Sequence, residues 1–505
     1  MTEKKLIQKF KWYREKALNA CKMEEYNKAI EAIELSARIA TQYYICYEDD
    51  ELEDIISNIA AKRSRCSFIP DINRIVYYET ESATDVLTRQ YLDAIIGWGY
   101  EILYIARKGI NKKNSTLLHD YLKRHTNVEL CIIPDTLDEL QTIDFIVNAV
   151  CEYRPFMAFL SVNASRDVQG IIAWSSLCEV KRYYIETSDH TFWLGAKQFD
   201  YYISFRSQGY NTAIDYRGIS EDKIIVQQYY PIQSSENYQG IEETVKDSVK
   251  ILSGARLEKI YGQNDKFFEL IEKVLKNNPN VEFYFAGAAV RGKAARMGYL
   301  KKQIRKRNYG ERFHVLGYRN DLTSLMQHMD IYMGTYPLAG ALMSQIAASC
   351  GLPIVQFATD GLACGIGETI SEGEIGKKIV FINSEQGFYD EISRLVSDKT
   401  YRLQRGKELK QHMMNKEKFE QELKDKIFNK RNNGQVHRYR FTNEYLRKNQ
   451  VEVENRLTHD YYRIIVKSDY VRKYEPFQYI MNTLMFIFTT DKEWLFRTVK
   501  NTITK

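Results

Sequence analysis

The chain has 505 residues and a mass of 59.4 kDa, which is too long for a single compact core. Its composition, 44% hydrophobic and 27% charged, excludes a collagen-like chain, a small disulfide scaffold and a wholly disordered chain. Seventy-two Lys and Arg against 66 Asp and Glu give a net charge of +6. This mild excess fits a phosphate-bearing small molecule or an anionic membrane surface. Because a nucleic-acid footprint needs clustered charge, we expect no nucleic-acid partner.

The sequence predicts a cytoplasmic location. The stretch MTEKKLIQKFKWYREK is charged throughout, so we expect no signal peptide, and no run reaches the ~18 apolar residues that span a bilayer. We predict that the most apolar stretch, Tyr479 to Phe488, is a buried element, although peripheral membrane contact stays open. The eight cysteines have no CxxC spacing, and we expect them to be buried free thiols in a reducing compartment.

Residues 1–68 predict a helical hairpin region. In KALNACKMEEYNKAIEAIELSARIA the apolar residues recur at helical spacing, and the segment resembles one tetratricopeptide-type hairpin. A single unit of this kind cannot bury its own apolar face. We therefore favour a brace that packs on the next domain, while a surface for a partner or an acceptor protein stays open.

Two series of short β-rich runs alternate with helical patterns, at residues 74–231 and 249–382. This alternation predicts βαβ units with parallel sheets. The predicted fold class is α/β, with two Rossmann-like domains at residues 69–240 and 241–405 and a cleft between them. Residues 406–505 predict a helical C-terminal extension to which the sequence assigns no role.

Two segments of the second domain are suited to a diphosphate. SGARLEKIYG places Arg256 and Lys259 directly after a strand, where cations can neutralise a diphosphate leaving group. YPLAGALMSQIAASCGLPIV places Gly340 and Ala341 at the start of a helix, whose free amides and dipole favour phosphate. The structural alternatives are ordinary surface cations and a tight turn.

Two further segments supply candidates for the nucleobase and for the catalytic base. In FHVLGYRNDL, Tyr318 follows a strand end and would hold a base, unless the segment is a plain loop capped by Asp321. In ETSDHTFWLGAKQFDYYISF, Asp189 or His190 would remove the proton of an acceptor hydroxyl. Histidine titrates close to neutral pH, which suits that role. The alternative is a structural histidine beside a helix cap.

In this order and at these spacings, the second-domain segments resemble the donor half of the GT-B glycosyltransferases. The span 74–405 is consistent with the two-Rossmann architecture of that family. ETSDHTFWLGAKQFDYYISF resembles a segment of the bacterial cytoplasmic glycosyltransferases related to the O-GlcNAc transferases. The resemblance implies that Arg256 and Lys259 contact the diphosphate, Tyr318 holds the base, and the Gly340–Ala341 turn cradles the phosphates.

The resemblance also implies the reaction. A hexosyl or N-acetylhexosaminyl group would pass from a nucleotide sugar, expected to be UDP-linked, to a protein, glycan or lipid-linked acceptor. The family typically needs no bound metal, and we expect no cofactor besides the donor substrate.

Two positions depart from the family pattern. Many retaining members carry two Glu with seven residues between them before the CGLP-like segment, and here those positions are Leu338 and Ile346. In the O-GlcNAc transferase branch of the resembled family an Asp near the second position contacts the ribose. Ile346 does not supply that contact, and Ser344 or Gln345 would substitute by hydrogen bonding. The departure leaves open a catalytically inactive GT-B-like subunit that binds acceptor for a partner enzyme. A nucleotide-sugar 2-epimerase, which shares the two-domain cleft, is a third hypothesis.

Overall fold

The computed structural model describes residues 2–63, 67–80, 85–107, 112–261, 265–287, 294–307, 309–358, 381–429, 436, 438–439 and 454–489. Within them the chain forms two parallel sheets, each with helices on its faces, and two groups of terminal helices. The predicted α/β class with helical N-terminal and C-terminal extensions is confirmed.

The first sheet contains seven parallel strands, and helices lie between most of them along the chain. The strands are β1 (Asp71–Glu79), β2 (Glu101–Arg107), β3 (Val128–Ile133), β4 (Pro155–Ser161), β5 (Lys181–Ile185), β6 (Tyr201–Ser204) and β7 (Ile224–Val226). The helices are α4 (Asp85–Ile96), α5 (Lys112–Leu122), α6 (Glu139–Tyr153), α7 (Val168–Ser175) and α8 (Ser207–Arg217). The strand order is β3-β2-β1-β4-β5-β6-β7, which is the order of a doubly wound nucleotide-binding sheet with one strand added.

The second sheet contains six parallel strands. They are β8 (Val249–Gly254), β9 (Val281–Ala286), β10 (Phe313–Val315), β11 (Ile331–Met333), β12 (Ile354–Phe357) and β13 (Phe381–Ile382). The helices are α9 (Lys266–Asn277), α10 (Ala294–Lys306), α11 (Leu322–Met326), α12 (Ala341–Ser349), α13 (Glu385–Ser397) and α14 (Lys399–Gln411). The order β10-β9-β8-β11-β12-β13 changes direction between β8 and β11. Of the strand predicted at 378–382, residues 378–380 lie outside the described residues.

The strand and helix patterns explain why these segments fold as they do. All six residues of β9, VEFYFA, are buried, as expected of a parallel strand covered on both faces. In α9, KFFELIEKVLKN, the apolar residues recur at helical spacing and are buried, while the lysines and acids face outward. The change in hydrophobic periodicity that predicted two α/β series therefore corresponds to the strands and helices of the structure.

The terminal helices pack together against the first sheet. They are α1 (Glu3–Lys22), α2 (Tyr26–Tyr43), α3 (Asp50–Arg63), α16 (Glu454–Val466), α17 (Asp469–Tyr474) and α18 (Pro476–Thr489). Residues of both groups share one hydrophobic core with strands of the first sheet. Arg38 NH1 donates to the carbonyl of Lys467 at 3.3 Å, and Lys473 pairs with Glu31. The contacts agree with the brace interpretation of the N-terminal hairpin.

One further helix carries the chain from the second domain back to the first. Helix α15 (Lys416–Phe428) lies against the first sheet, where Lys426 Nζ donates to the carbonyl of Val226 at 2.7 Å. The rings of Phe419 and Tyr91 meet edge to face at 5.3 Å. The two domains are thus connected by the chain before β8 and again by the chain before α15.

Two expectations from the sequence are wrong. Cys151 is disulfide-bonded rather than a free thiol, and Cys178 is exposed rather than buried. The apolar stretch at Tyr479–Phe488 lies on α18, and most of its large side chains face outward instead of being buried. None of the helices that the structure describes combines the length and apolar character that crossing a bilayer requires.

Candidate donor and acceptor site

The second sheet offers its ligand position where the strand order changes direction, between β8 and β11. β8 ends at Gly254 and β11 at Met333, and the two strands are paired in parallel. In an open α/β sheet the connections from such neighbouring strands pass to opposite faces and leave a crevice at the carboxyl edge. The segments that carry Lys259 and Gly340 both begin at this crevice.

Lys259 lies at the start of helix α12. It ends a short 3-10 turn, Leu257–Lys259, and its Nζ donates to the carbonyl of Ala339 at 3.0 Å. The amide of Leu338 donates in return to the carbonyl of Lys259 at 3.2 Å. The N-cap residue of α12 is Gly340, which has no side chain to cap the helix, and the half-buried ammonium group lies beside the helix start. A cation and a helix N-terminus at one point form an anion site.

The two glycines at the crevice have different roles. A Cβ on Gly254 would come within 2.7 Å of the carbonyl oxygen of Ala286, so close packing of backbone requires glycine there. Gly340 has a φ of −108°, which any residue adopts, and a Cβ there would meet nothing closer than 3.8 Å. That Cβ would lie 4.0 Å from Lys259 Nζ, in front of the helix start.

We expect Gly340→Ala to weaken nucleotide binding without weakening the fold. The methyl group meets no protein atom at clashing distance but fills space between Lys259 and the first amides of α12. The affinity for UDP should fall about tenfold, the cost of a modest steric displacement of the phosphates. Calorimetric titration with UDP and thermal unfolding measure the two quantities.

Gly254→Ala is the matched control for this substitution. Its Cβ would press on backbone at 2.7 Å, and we expect a loss of stability of about 1–3 kcal/mol. A Gly340→Ala variant that binds UDP like the wild type would contradict the assignment of this turn to phosphate.

The other donor residues predicted from the sequence lie at the same edge but not all in the crevice. Arg256 is exposed and precedes the turn that ends at Lys259, so the two cations flank one loop. Tyr318 is 80% exposed and follows β10, where Gly317 takes a φ of +70°. Because β9 lies between β10 and β8, the loop of Tyr318 starts about 10 Å from the loop of Lys259.

Ser344 and Gln345 face inward. Ser344 is buried, and its Oγ donates to the carbonyl of Gly340 at 3.1 Å within the helix. Gln345 Nε2 donates to the carbonyl of Tyr229 at 3.4 Å, across the cleft in the segment after β7. Neither side chain is presented to a ribose in this arrangement, and Gln345 joins the two domains.

Asp321 does not cap α11 with its side chain. It instead accepts from Arg319 Nε at 2.7 Å and from the backbone amide of Gln239 at 2.8 Å. Arg319 also donates to the carbonyl of Gly240 at 2.9 Å. The pair fastens the segment that connects the domains, which explains an aspartate at this position without a capping role.

In the first domain, Asp189 and His190 follow β5 at the carboxyl edge of the sheet. Asp189 is fully buried, and Arg206 forms a two-pronged ion pair with it. Burial acts against the charge of Asp189, but the Arg206 guanidinium and the hydrogen bond to His190 outweigh it and hold the pKa of Asp189 below its usual range. His190 is partly exposed, with Nδ1 at 3.2 Å from Asp189 Oδ1. Of the two candidates, His190 has the side chain that is exposed to solvent, and Asp189 is hydrogen-bonded to its ring.

Beneath this pair lies a second buried acid that the sequence analysis missed. Glu186 accepts from Ser204 Oγ at 2.6 Å, and its carbonyl accepts from Tyr229 OH at 3.0 Å. Arg217 NH1 lies 3.8 Å from Glu186 Oε1, and the Arg217 guanidinium covers the Trp193 ring at 3.5 Å. Burial, reinforced by the nearby charge of Asp189, raises the pKa of Glu186 to about 8. The sequence signal that could have revealed Glu186 is its position directly after the apolar strand residues YYI.

Glu186 should make stability fall as pH rises from about 5 to about 8. Below this window Glu186 is protonated in both the folded and the unfolded chain, since its ordinary pKa is 4.5. Within it the unfolded chain releases the proton and the folded chain keeps it, so the unfolded state gains. We expect Glu186→Gln to flatten the pH dependence of the free energy of unfolding, measured by urea denaturation.

Glu129→Gln, on an exposed strand residue, is the control and should leave the pH dependence unchanged. Burial also raises the pKa of Glu53 and of Glu139 to about 7, so the wild-type slope has several sources. The difference between the two variants isolates Glu186. An equal slope in Glu186→Gln and wild type would rule out its raised pKa.

The N-terminal helices hold the loop that carries His190. Glu53, buried on α3, accepts from the amide of Gly195 at 2.7 Å and from Gln198 Nε2 at 3.0 Å. Trp193 donates its amide to the carbonyl of Tyr47 at 3.0 Å, and the Tyr44 ring stacks on His190. The helical region is therefore part of the framework of the site.

Among the residues that the structure describes, no three His, Cys, Asp or Glu side chains are grouped to hold a metal ion.

The two doubly wound domains, joined twice and meeting at their carboxyl edges, define the GT-B class of fold. Residues 249–398 match the family of group 1 glycosyl transferases, and this span contains Arg256, Lys259 and the start of α12. A comparison with curated proteins gave no match.

Solved structures show the same fold at low sequence identity. HepE of Anabaena, solved with UDP and glucose and with UDP-glucose, aligns with 70% of this chain and 99% of its own at a TM-score of 0.50 and 16% identity. A variant of the O-GlcNAc transferase of Thermobaculum terrenum aligns over 80% of this chain and 77% of its own, with a TM-score of 0.51 and 14% identity.

A third structure widens the comparison. The N-terminal domain of a Candida albicans trehalose-6-phosphate phosphatase aligns with 72% of this chain and 98% of its own, with a TM-score of 0.50 and 12% identity. Together with the family match in the second domain, these structures confirm the predicted resemblance to the GT-B glycosyltransferases.

Proposed function

We propose that the protein transfers a sugar from a nucleotide sugar, UDP-linked, to an acceptor hydroxyl held by the first domain. One observation carries the proposal, the meeting of Lys259 with the uncapped start of α12 where the strand order reverses. Such a point stabilises a departing diphosphate, whose developing charge is the main demand of the reaction. The family match over 249–398 and the UDP-bound HepE structures support the choice of donor.

The roles of the individual residues follow from their positions. Lys259 and Arg256 neutralise the diphosphate, and the Gly340–Ala341 turn lets it approach the helix amides. Tyr318, on its exposed loop, holds the base. His190 removes the acceptor proton. Asp189 holds the imidazole ring in position through their hydrogen bond.

The acceptor class and the transferred group remain part of the proposal. A hexosyl or N-acetylhexosaminyl group would pass to a protein, glycan or lipid-linked acceptor. No cofactor besides the donor is required in this scheme, because Lys259 and the helix start supply the positive charge that a metal would otherwise bring.

Calorimetric titration followed by donor hydrolysis tests the proposal. We expect UDP to bind to the full chain, and at least one of a panel of nucleotide sugars to be hydrolysed slowly without acceptor. Adenosine diphosphate serves as the mismatched nucleotide, since it offers the same diphosphate with a different base. A chain that binds neither UDP nor any nucleotide sugar would refute the proposal.

A second candidate rests on the side chains at two positions. Leu338 and the buried Ile346 stand where many retaining members of the resembled family have Glu, which favours a GT-B-like subunit that binds acceptor without catalysis. The same pair of measurements separates the candidates. Binding of UDP together with hydrolysis indicates the enzyme, whereas absence of both indicates the acceptor-binding subunit.

A further inference from the structure

Helix α18 is oriented with its apolar side outward. Asn482 is buried and donates to the carbonyl of Gln478 at 2.7 Å, and the Tyr479 ring packs against the core of the first domain. The helix contains no charged residue. Six large apolar side chains, which we call the α18 face, are 37–81% exposed: Phe477, Ile480, Met481, Leu484, Ile487 and Phe488.

The α18 face is large for a protein that stays free in water. The six side chains together expose on the order of 700 Å², compared with roughly 300–600 Å² for the largest apolar patch of a typical monomer. Contact with water at so many apolar groups is unfavourable, at about 25 cal/mol per Å². A face of this size is expected to have an occupant.

A row of lysines borders the α18 face. On helix α1, Lys5, Lys9, Trp12 and Lys16 follow one another at helical spacing and so lie on one side of the helix. Lys9 and Trp12 line a shallow cavity of about 350 Å³ together with Phe477, at the start of α18. Trp12 is 47% exposed, and Lys16 Nζ lies 4.7 Å from the centre of its ring.

The helix that carries this row is basic. Helix α1 has seven Lys and Arg against two Glu, a net charge of +5. An uncharged apolar helix bordered by lysines and an exposed tryptophan has the chemistry of a segment that lies in the interface of an anionic bilayer. A second copy of the chain fits less well, because a two-fold dimer would set the lysine row against itself.

We propose that the α18 face and the lysine row of α1 dock this protein on the surface of an anionic lipid membrane. The apolar side chains enter the boundary between headgroups and acyl chains, Trp12 lies at headgroup level, and the lysines contact anionic headgroups. This docking does not depend on the proposed sugar transfer, and it places the first domain against the membrane.

Sedimentation of the full chain with vesicles tests the proposal. The wild type should bind vesicles of phosphatidylcholine mixed with phosphatidylglycerol, bind phosphatidylcholine alone more weakly, and lose affinity as salt is added. Ile480→Gln combined with Leu484→Gln should lower binding to both vesicles about tenfold or more. Lys5→Gln, Lys9→Gln and Lys16→Gln together should lower binding to the anionic vesicles only, by about fivefold for each lysine.

Leu403→Gln is the control for the apolar substitutions. Leu403 is 60% exposed on α14, away from α18, and its variant should bind vesicles like the wild type. All variants change exposed or half-exposed side chains, so the midpoint of thermal unfolding checks that each remains folded.

Two outcomes would overturn the proposal. One is a wild-type chain that stays in the supernatant with both vesicles, or an α18 double variant that binds as the wild type does. The other is a wild-type dimer in analytical ultracentrifugation that the α18 substitutions dissociate while no vesicle binding occurs. That result would assign the face to a second copy of the chain.

Discussion

Lys259→Ala should lower the affinity for UDP about 10- to 100-fold, the effect of losing one charge-assisted hydrogen bond of roughly 1.5–3 kcal/mol. In the structure the Lys259 ammonium touches the carbonyl of Ala339 at the start of α12, so its removal leaves the diphosphate to the helix amides and Arg256. Calorimetric titration with UDP measures the change.

If the nucleotide sugar is also turned over, the same variant should slow hydrolysis by a larger factor than it weakens binding. The leaving diphosphate gains charge in the transition state, and Lys259 would then stabilise it more than it stabilises the bound donor. Lys301→Ala, an exposed lysine on α10 of the same domain, is the control and should leave both quantities unchanged. Equal UDP affinity in Lys259→Ala and wild type would remove Lys259 from the donor site.

Arg206→Met should lower the free energy of unfolding by about 3–5 kcal/mol, because it leaves the buried carboxylate of Asp189 without its charge partner. Asp189 is fully buried, and the Arg206 side chain is 11% exposed, so water cannot replace the lost guanidinium. Urea denaturation monitored by tryptophan fluorescence measures the loss. Adding Asp189→Asn to Arg206→Met should restore part of it, since a neutral amide is less costly to bury than a carboxylate.

The matched control is Arg89→Met, which removes an arginine from a partly exposed pair. Arg89 lies 3.6 Å from Asp93, and its side chain is 46% exposed. The expected loss is within about 1 kcal/mol. If Arg206→Met and Arg89→Met destabilise the protein equally, the ion pair at Asp189 does not act as a buried pair.

The fold could be predicted because its signal is repeated along the chain. Runs such as VEFYFA and YYIS are mostly apolar, which is what a parallel strand between two helical layers requires. The alternation with helical patterns then fixes the order of the elements. The same pattern pointed to Lys259 and Gly340, because ligands of an open α/β sheet bind just beyond the carboxyl ends of its strands.

The electrostatics of the site could not be predicted in this way. Glu186 and Arg217 approach each other over 31 positions of sequence only because β5 and α8 pack together, and their burial gives the acid its raised pKa. Glu53, on α3, reaches the His190 loop from 142 positions away. Contacts between residues so far apart in the sequence leave no local sequence pattern.

The apolar stretch of α18 shows a second reason why the sequence does not predict every feature of the structure. Its composition predicted burial, whereas the helix turns Asn482 inward and Phe477 outward. The composition of a segment gives its content of apolar groups, and only the packed structure decides which of them face the protein.

The interleaving of the two chain ends has a consequence for how the protein is made. The core of the first domain includes Tyr461 and Val471 alongside Leu6 and Ile30, so it is complete only when the last helices have left the ribosome. The second domain, whose core is formed by buried residues between Val249 and Leu409, needs none of those helices. During synthesis the later-encoded domain can therefore close its core first, and the first domain stays partly open until helices α16 and α17 have been made.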